Sequence, residues 1–386
     1  MLPTRKRKAF LIQTVLGLLL LIGGALLIRA ILQSLEGQGI SSGFGFLHRS
    51  TGWDVGFSLI EYTINDPYWK VILVGVLNTL FLGSIGLVLA TVLGVLIGVL
   101  RTSANPVMAF LGTCYIEAIR NVPLILQAFF WYAVFTHLPP PKVAAEAGGI
   151  IILSSRGIFV PGLNVVPGAG LLAGGLLLAG LVLALILALW PGRNLRAREL
   201  LPLMSRGALL GGIGLAVAVL LLARTPGETF LQFAELKGLN FRGGIRVSPE
   251  FAALLTAMSL YGGAFLGEII RAGFMSVSRG QIEAAQALGL GGWQVFSRVR
   301  LPLALRAVLP TLTNQYVWLL KATTLGIAVG FSDFFLVIST AINQSGQTLE
   351  LILILMGGFL IINNLLAAIM NFINRRIALR GSQLRI

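Results

Sequence analysis

Eight long apolar stretches constrain this chain more than any other feature: residues 10–32, 71–100, 107–135, 168–190, 207–222, 251–277, 305–331 and 351–373. A bilayer core takes about 20 apolar residues per helix, and the fifth stretch is the short one. Inside hydrocarbon every backbone amide and carbonyl must be paired within the protein, which favours helices. The chain is 56% apolar and 11% charged, whereas a soluble domain carries about 45–50% and 25%, so polar surface is too scarce to cover a water-exposed globule. The expected fold class is an all-α integral membrane protein with about eight transmembrane helices. The first stretch follows Arg5-Lys6-Arg7-Lys8, yet it is too long for the apolar region of a signal and no A-x-A-like site closes it, so it reads as a retained helix.

The formal net charge of +15 is a topology signal. When loops are assigned alternately to the two sides, the basic clusters at 5–8, 193–206, 271–306 and 375–385 fall together. The opposite loops hold about half as many basic residues, beside most of the acids. The positive-inside rule then places both termini in the cytoplasm. Charge arranged this way matches anionic lipid and leaves no nucleic-acid partner. One cysteine, Cys114, excludes a disulfide framework and a cysteine-based zinc site. The two histidines, His48 and His137, fall in outer loops away from any buried Ser or Asp arrangement, so no catalytic or metal residues are expected.

Four segments organise the chain. Residues 1–70 are an N-terminal helix and an irregular outer loop, and 71–136 form the first part of a membrane core. Residues 137–249 are an insertion with two extra membrane helices, opened by Pro139-Pro140-Pro141, which stops the third apolar helix. Residues 250–386 form the second part of the core and contain a cytoplasmic loop at 277–302. In that loop Ser278 and Gln281 have capping-box spacing. An alanine-rich run favours helix, and Gly289 suits the left-handed residue that closes one. Ile282, Ala285 and Leu288 recur at a spacing of three and predict one apolar face, which in a water-facing loop calls for a partner.

Glu283-Ala284-Ala285, then Gly289, Val299 and Leu301-Pro302 at their spacings, resembles the EAA loop of membrane subunits of bacterial ABC importers. The wider pattern, including Asn78-Thr79-Leu80, Glu117 to Pro123, Asn314, Lys321 and Thr323-Thr324-Leu325, is similar to the polar amino acid permease branch. Gly43-Phe44-Gly45-Phe46-Leu47 and the central insertion resemble its larger general L-amino acid subgroup. The resemblance implies a type I ABC importer permease core with an inserted helix pair, in a bacterial inner membrane. It implies that Glu283, Ala284, Ala285, Gly289, Leu301 and Pro302 couple the chain to an ATPase. It further implies a second, different permease subunit, two ATP-binding subunits and an extracytoplasmic amino-acid-binding protein. ATP and Mg would sit in the partner ATPase, and this chain would bind no cofactor. Agreeing with that, no Gly-Lys dipeptide of a phosphate loop occurs in it. An ion-coupled secondary amino-acid transporter is the alternative that composition alone would allow.

Charges in hydrocarbon are costly and face the bundle interior or a water path. Glu117, Arg120, Glu268, Arg271 and Lys321, with Asn314, are therefore candidates for a substrate path. Glu117/Arg120 and Glu268/Arg271 stand at i,i+3, so each pair could instead neutralise itself on one helix face. Arg120 precedes Asn121 and Pro123, a helix-interrupting sequence. Gly94/Gly98 and Gly263/Gly267 have the spacing that lets helices approach closely, with packing inside one subunit the favoured use.

Overall fold

A computed structural model describes residues 4–37, 43–103, 105–146, 149–166, 168–189, 195–225, 227 and 229–377. Every one of the eight apolar stretches falls on a helix or a bent helix pair. In chain order they are α1 (Thr4–Gly37), α2 (Tyr68–Arg101), α3 (Pro106–Arg120) with α4 (Leu124–Thr136), α6 (Ala169–Leu189), α7 (Leu195–Leu222), α8 (Pro249–Met275), α11 (Leu301–Lys321) and α13 (Thr348–Ile377). Four of these have the length and composition to cross a membrane by themselves, and two bent pairs bring the number to six. The apolar runs Leu11–Leu26 and Leu172–Ala184 are shorter.

Two of the stretches are bent, one at the interruption expected at Asn121 and Pro123 and one that the sequence did not announce. At Asn121–Pro123 the chain turns 97° between α3 and α4, because Pro123 cannot donate and excludes helical geometry at the residue before it. Gln127 Nε2 caps the carbonyls left free, donating to Ile119 O at 2.9 Å and Val122 O at 3.0 Å. After α11 the chain tightens into a 3-10 segment, Ala322–Val329. It turns at Gly330, whose φ of 78° suits a residue without Cβ, and restarts as α12 (Phe334–Ser345). This second bend is 49°.

The core is built on α2 and α8, which lie parallel in a constant register. A Cβ at Gly94 would stand 2.6 Å from Leu266 Cβ, and one at Gly98 would stand 2.8 Å from Ile270 Cγ2. Gly267 in turn faces Ile97. The two glycine pairs thus serve packing within one subunit, where lipid offers no hydrophobic driving force and close van der Waals contact must supply the association. Leu82, Ala90, Leu254, Met258, Leu266 and Leu319 close the centre.

The insertion was expected to add helices alone, and it also carries strands. α6 and α7 form a tight hairpin in which Gly180 and Gly212 abut backbone to backbone. Around it lie α5 (Pro141–Glu146) and the strands β1 (Ile152–Ser154), β2 (Gly157–Val160), β3 (Gly162–Leu163), β4 (Leu231–Gln232), β5 (Glu235–Lys237), β6 (Asn240–Arg242) and β7 (Ile245–Val247). They pair antiparallel as β1-β2-β7, β3-β4 and β5-β6. Strands of two to four residues carry too few alternations to show a period of two in the sequence.

Candidate functional site

The loop between α8 and α11 folds as expected in outline and differs in detail. α9 (Arg279–Ala287) starts after Ser278, whose side chain makes no capping bond. The box spacing is used one turn of chain later, where Gln294 Oε1 accepts from Gly291 N at 3.1 Å and opens α10 (Gly292–Val295). Gly289 has φ 79°, left-handed as its position after the helix requires. Leu301 and Pro302 open α11 directly after a π-helical turn, Phe296–Arg300, whose irregular ladder accommodates a residue without an amide.

The expected single apolar face divides in two. Ala285 is buried, and Ile282 packs with Phe274, Val277, Ala304 and Phe296, fastening α9 to the ends of α8 and α11. Leu288 points away, 83% exposed, and Trp293 is 76% exposed while stacking on Phe296 at 5.7 Å. Glu283 and Ala284 are also exposed. α9 therefore has an inner side bonded to the membrane helices and an outer apolar pair beyond them, a lever with a free end. Sequence spacing could not separate the two sides, because it gives the helical face and not which part of it the bundle covers.

The membrane charges sort differently from their i,i+3 spacing. Glu268 and Arg271 pair as expected, Arg271 Nη2 to Glu268 Oε1 at 2.6 Å, and Arg101 from the end of α2 joins the same carboxylate. Glu117 and Arg120 do not pair. Glu117 accepts from Asn121 Nδ2 at 3.4 Å, and the Arg120 guanidinium lies 4.7 Å over the Phe265 ring of α8. An aromatic face attracts a cation, and Arg120, the last residue of α3, lies over it rather than beside Glu117.

Lys321 makes no ion pair among the described residues. The Thr323 and Thr324 hydroxyls donate back to the carbonyls of Leu320 and Lys321. Lys321 and Asn314 instead line a cavity of about 560 Å³ between α11 and α13, with Thr313, Trp318, Asn371 and Asn374. The α13 asparagines were missed in the sequence. Their spacing on a helix face was the available signal. A second cavity of about 290 Å³ lies beside Glu268 between α8 and α11. Among the described residues no group of three His, Cys, Asp or Glu side chains could hold a metal ion.

Comparison with known proteins agrees with this architecture. Residues 180–379 match the family described as the binding-protein-dependent transport system inner membrane component. The chain is 39% identical to the ABC transporter permease protein YhdX of Escherichia coli (strain K12), over 90% of this chain and 88% of that protein. It is 37% identical to the general L-amino acid transport system permease protein AapQ of Rhizobium johnstonii, over 88% and 84%. It is also 32% identical to the glutamate/glutamine/aspartate/asparagine transport system permease protein BztB of Rhodobacter capsulatus, over 97% and 94%. The family match spans α8, the exposed lever, the bend after α11 and the final helix, and the chain belongs to the inner membrane component family of binding-protein-dependent transport systems, as a permease subunit with the type I importer fold.

Proposed function

We propose that this chain is the translocation subunit of an ATP-driven importer for polar or general L-amino acids, and that the lever at 279–293 is where an ATPase subunit docks. The observation that carries the reading is the pair Leu288 and Trp293, large apolar side chains 83% and 76% exposed on a loop beyond the membrane helices. An exposed apolar cluster of that kind marks an interaction surface. Ala285 and Ile282 tie the same helix to α8 and α11, so force applied to the outer pair reaches the spans that line the cavity. Glu283, Ala284 and Ala285 form the body of the lever, Gly289 ends it, and Leu301 and Pro302 return it to the membrane.

In this reading the loop end faces the cytoplasm with both termini, in keeping with its arginines. ATP and Mg are bound by the partner, and this chain contributes the conformational path. Its partners in this reading are a second permease subunit, two ATP-binding subunits and an extracytoplasmic amino-acid-binding protein; the family's dependence on a binding protein and the relatives' place in ABC transport systems support the binding protein and the ATPase. Alternating access would carry the amino acid past Arg120 and past the cavity of Lys321 and Asn314. A planar guanidinium or an ammonium suits a substrate carboxylate there. Glu268, Arg101 and Arg271 satisfy one another, and with Glu117 on an Asn121 amide this leaves Arg120 and Lys321 as the cations open to a substrate. The test is uptake by the purified complex with Leu288→Asp: ATP-driven uptake should be lost while the bundle stays folded, and unchanged uptake would remove the docking role.

A further inference from the structure

Residues 43–67 form a strap whose tip is driven into the bundle. The strap is one piece because its two arms bond to each other: Thr51 N donates to Asp66 O at 3.0 Å, Gly52 N to Ile64 O at 2.9 Å, and the Tyr62 hydroxyl to Trp53 O at 2.8 Å. At its start Gly43 N donates to Glu350 Oε1 of α13 at 2.7 Å, and Phe46 is buried against Tyr68. Its tip carries Phe57, whose ring lies 5.4 Å from Phe251 of α8, 5.7 Å from Phe331 and 6.2 Å from Phe81 of α2. The four rings form a plug over the end of the bundle opposite α9.

Beneath the plug lies the bend between α11 and α12, and one side chain joins strap, α2 and bend. Asn78, fully buried in α2, donates through Nδ2 to Phe57 O at 2.8 Å and to Ser332 O at 2.8 Å. Two carbonyls at one nitrogen fix which end of the carboxamide is the donor. Thr79 Oγ1 accepts from Phe334 N at 2.9 Å, and Asp333 Oδ1 caps α12 at Leu336 N. Asn78 Oδ1 and Asp333 Oδ2 are left buried with no donor among the described residues. Aromatic packing and a double hydrogen bond thus favour the closed junction, while two unpaired oxygens, which water would satisfy on opening, oppose it. Contributions of opposite sign at one junction are what a two-position gate needs.

We propose that the strap is a gate over the translocation path, and that Asn78 is the positioning residue that holds Phe57 on the bend at Ser332. The proposal rests on the importer reading for the direction of traffic. In the closed gate the bend cannot leave α2 without breaking the Asn78–Ser332 bond and drawing Phe331 away from Phe57, so movement of α11 by the lever would loosen the plug at the far end.

The experiment uses the complete complex in right-side-out vesicles, with Cys114→Ser and Ser332→Cys, and an impermeant maleimide outside. Ser332 is 8% exposed under Phe57. The new thiol should react slowly at rest and about tenfold faster when ATP and amino-acid-loaded binding protein drive turnover. Asn78→Ala should give the fast rate without ATP, because the bonds that hold Phe57 and Ser332 to α2 are both lost. Phe57→Ala, a change in the strap that leaves the helices intact, should do the same. Equal labelling at rest and in turnover, or a Phe57→Ala complex that labels as slowly as its parent, would overturn the gate. Hydrogen exchange across 50–67 in the unsubstituted complex gives the same reading if the added thiol stops transport. ATP-driven uptake with unchanged labelling and exchange would sink the strap alone, whereas absence of any ATP-driven uptake would sink the importer reading and the gate with it.

Discussion

Arg101, in the last turn of α2, donates to the carboxylate of Glu268 in α8, 167 positions further along the chain. Glu268 also holds Arg271, so one carboxylate fixes the loop ends of the two helices that form the core. Removing it leaves two half-buried guanidiniums facing each other. Glu268→Ala should lower stability in detergent by about 1–3 kcal/mol, read as a drop in melting temperature. Arg271→Ala, which leaves the link between the helices in place, should lower it by less.

The parallel approach of α2 and α8 makes a second prediction. A methyl group at Gly94 would meet Leu266 Cβ at 2.6 Å, whereas one at Gly357 of α13 meets nothing within 4 Å. Gly94→Ala should destabilise by about 1–3 kcal/mol through forced separation of the helices. Gly357→Ala should be neutral or slightly stabilising, since alanine is the better helix former. Thermal melts of the two variants side by side check the contrast.

How much of this was visible beforehand depends on how local each cause is. The apolar stretches, the left-handed Gly289 and the break after Asn121 follow from residues within a few positions, and the structure has them. The partner of Arg120 was not visible: its helix-mate Glu117 stood at the right spacing, but the packing of α3 on α8 puts the Phe265 ring under the guanidinium. Nor was the partner of Arg101, because only the packing of α2 on α8 brings Glu268 to it. The role of Asn78 needs three segments in place at once. The strands of the insertion were too short to register, and residues 190–194 lie outside the described residues.

The exposed lever supplies a third prediction. Gly289→Val places a β-branched residue at φ 79°, a conformation that costs an L-residue about 1–2 kcal/mol, so the end of α9 should shift. Because nothing lies within 4 Å of a Cβ there, the strain is confined to the end of α9 and membrane insertion should hold. Uptake should fall while ATP hydrolysis by the complex persists.

Outside the membrane, Asp66 accepts from Lys70 Nζ at 2.8 Å and from Thr63 N at 2.8 Å. The Lys70 ammonium, followed by the Thr63 amide, holds its carboxyl below the usual aspartate range. A depressed carboxylate stabilises the fold above its unfolded value, and that contribution is lost as pH falls through the folded value. The advantage of the parent over Asp66→Asn in melting temperature should therefore be full above about pH 4 and vanish on further acidification. A constant difference down to strong acid would contradict the assignment.

The central claim is that a nucleotide-driven neighbour moves this bundle through Leu288 and Trp293. The direct measurement is accumulation of labelled amino acid in proteoliposomes holding the whole assembly and its binding protein, with ATP supplied on the lever side and no ion gradient. Uptake should require ATP and the binding protein, and should fall to background with Leu288→Asp. Accumulation that follows a proton or sodium gradient without ATP, and is indifferent to Leu288→Asp, would contradict the account and favour an ion-coupled transporter.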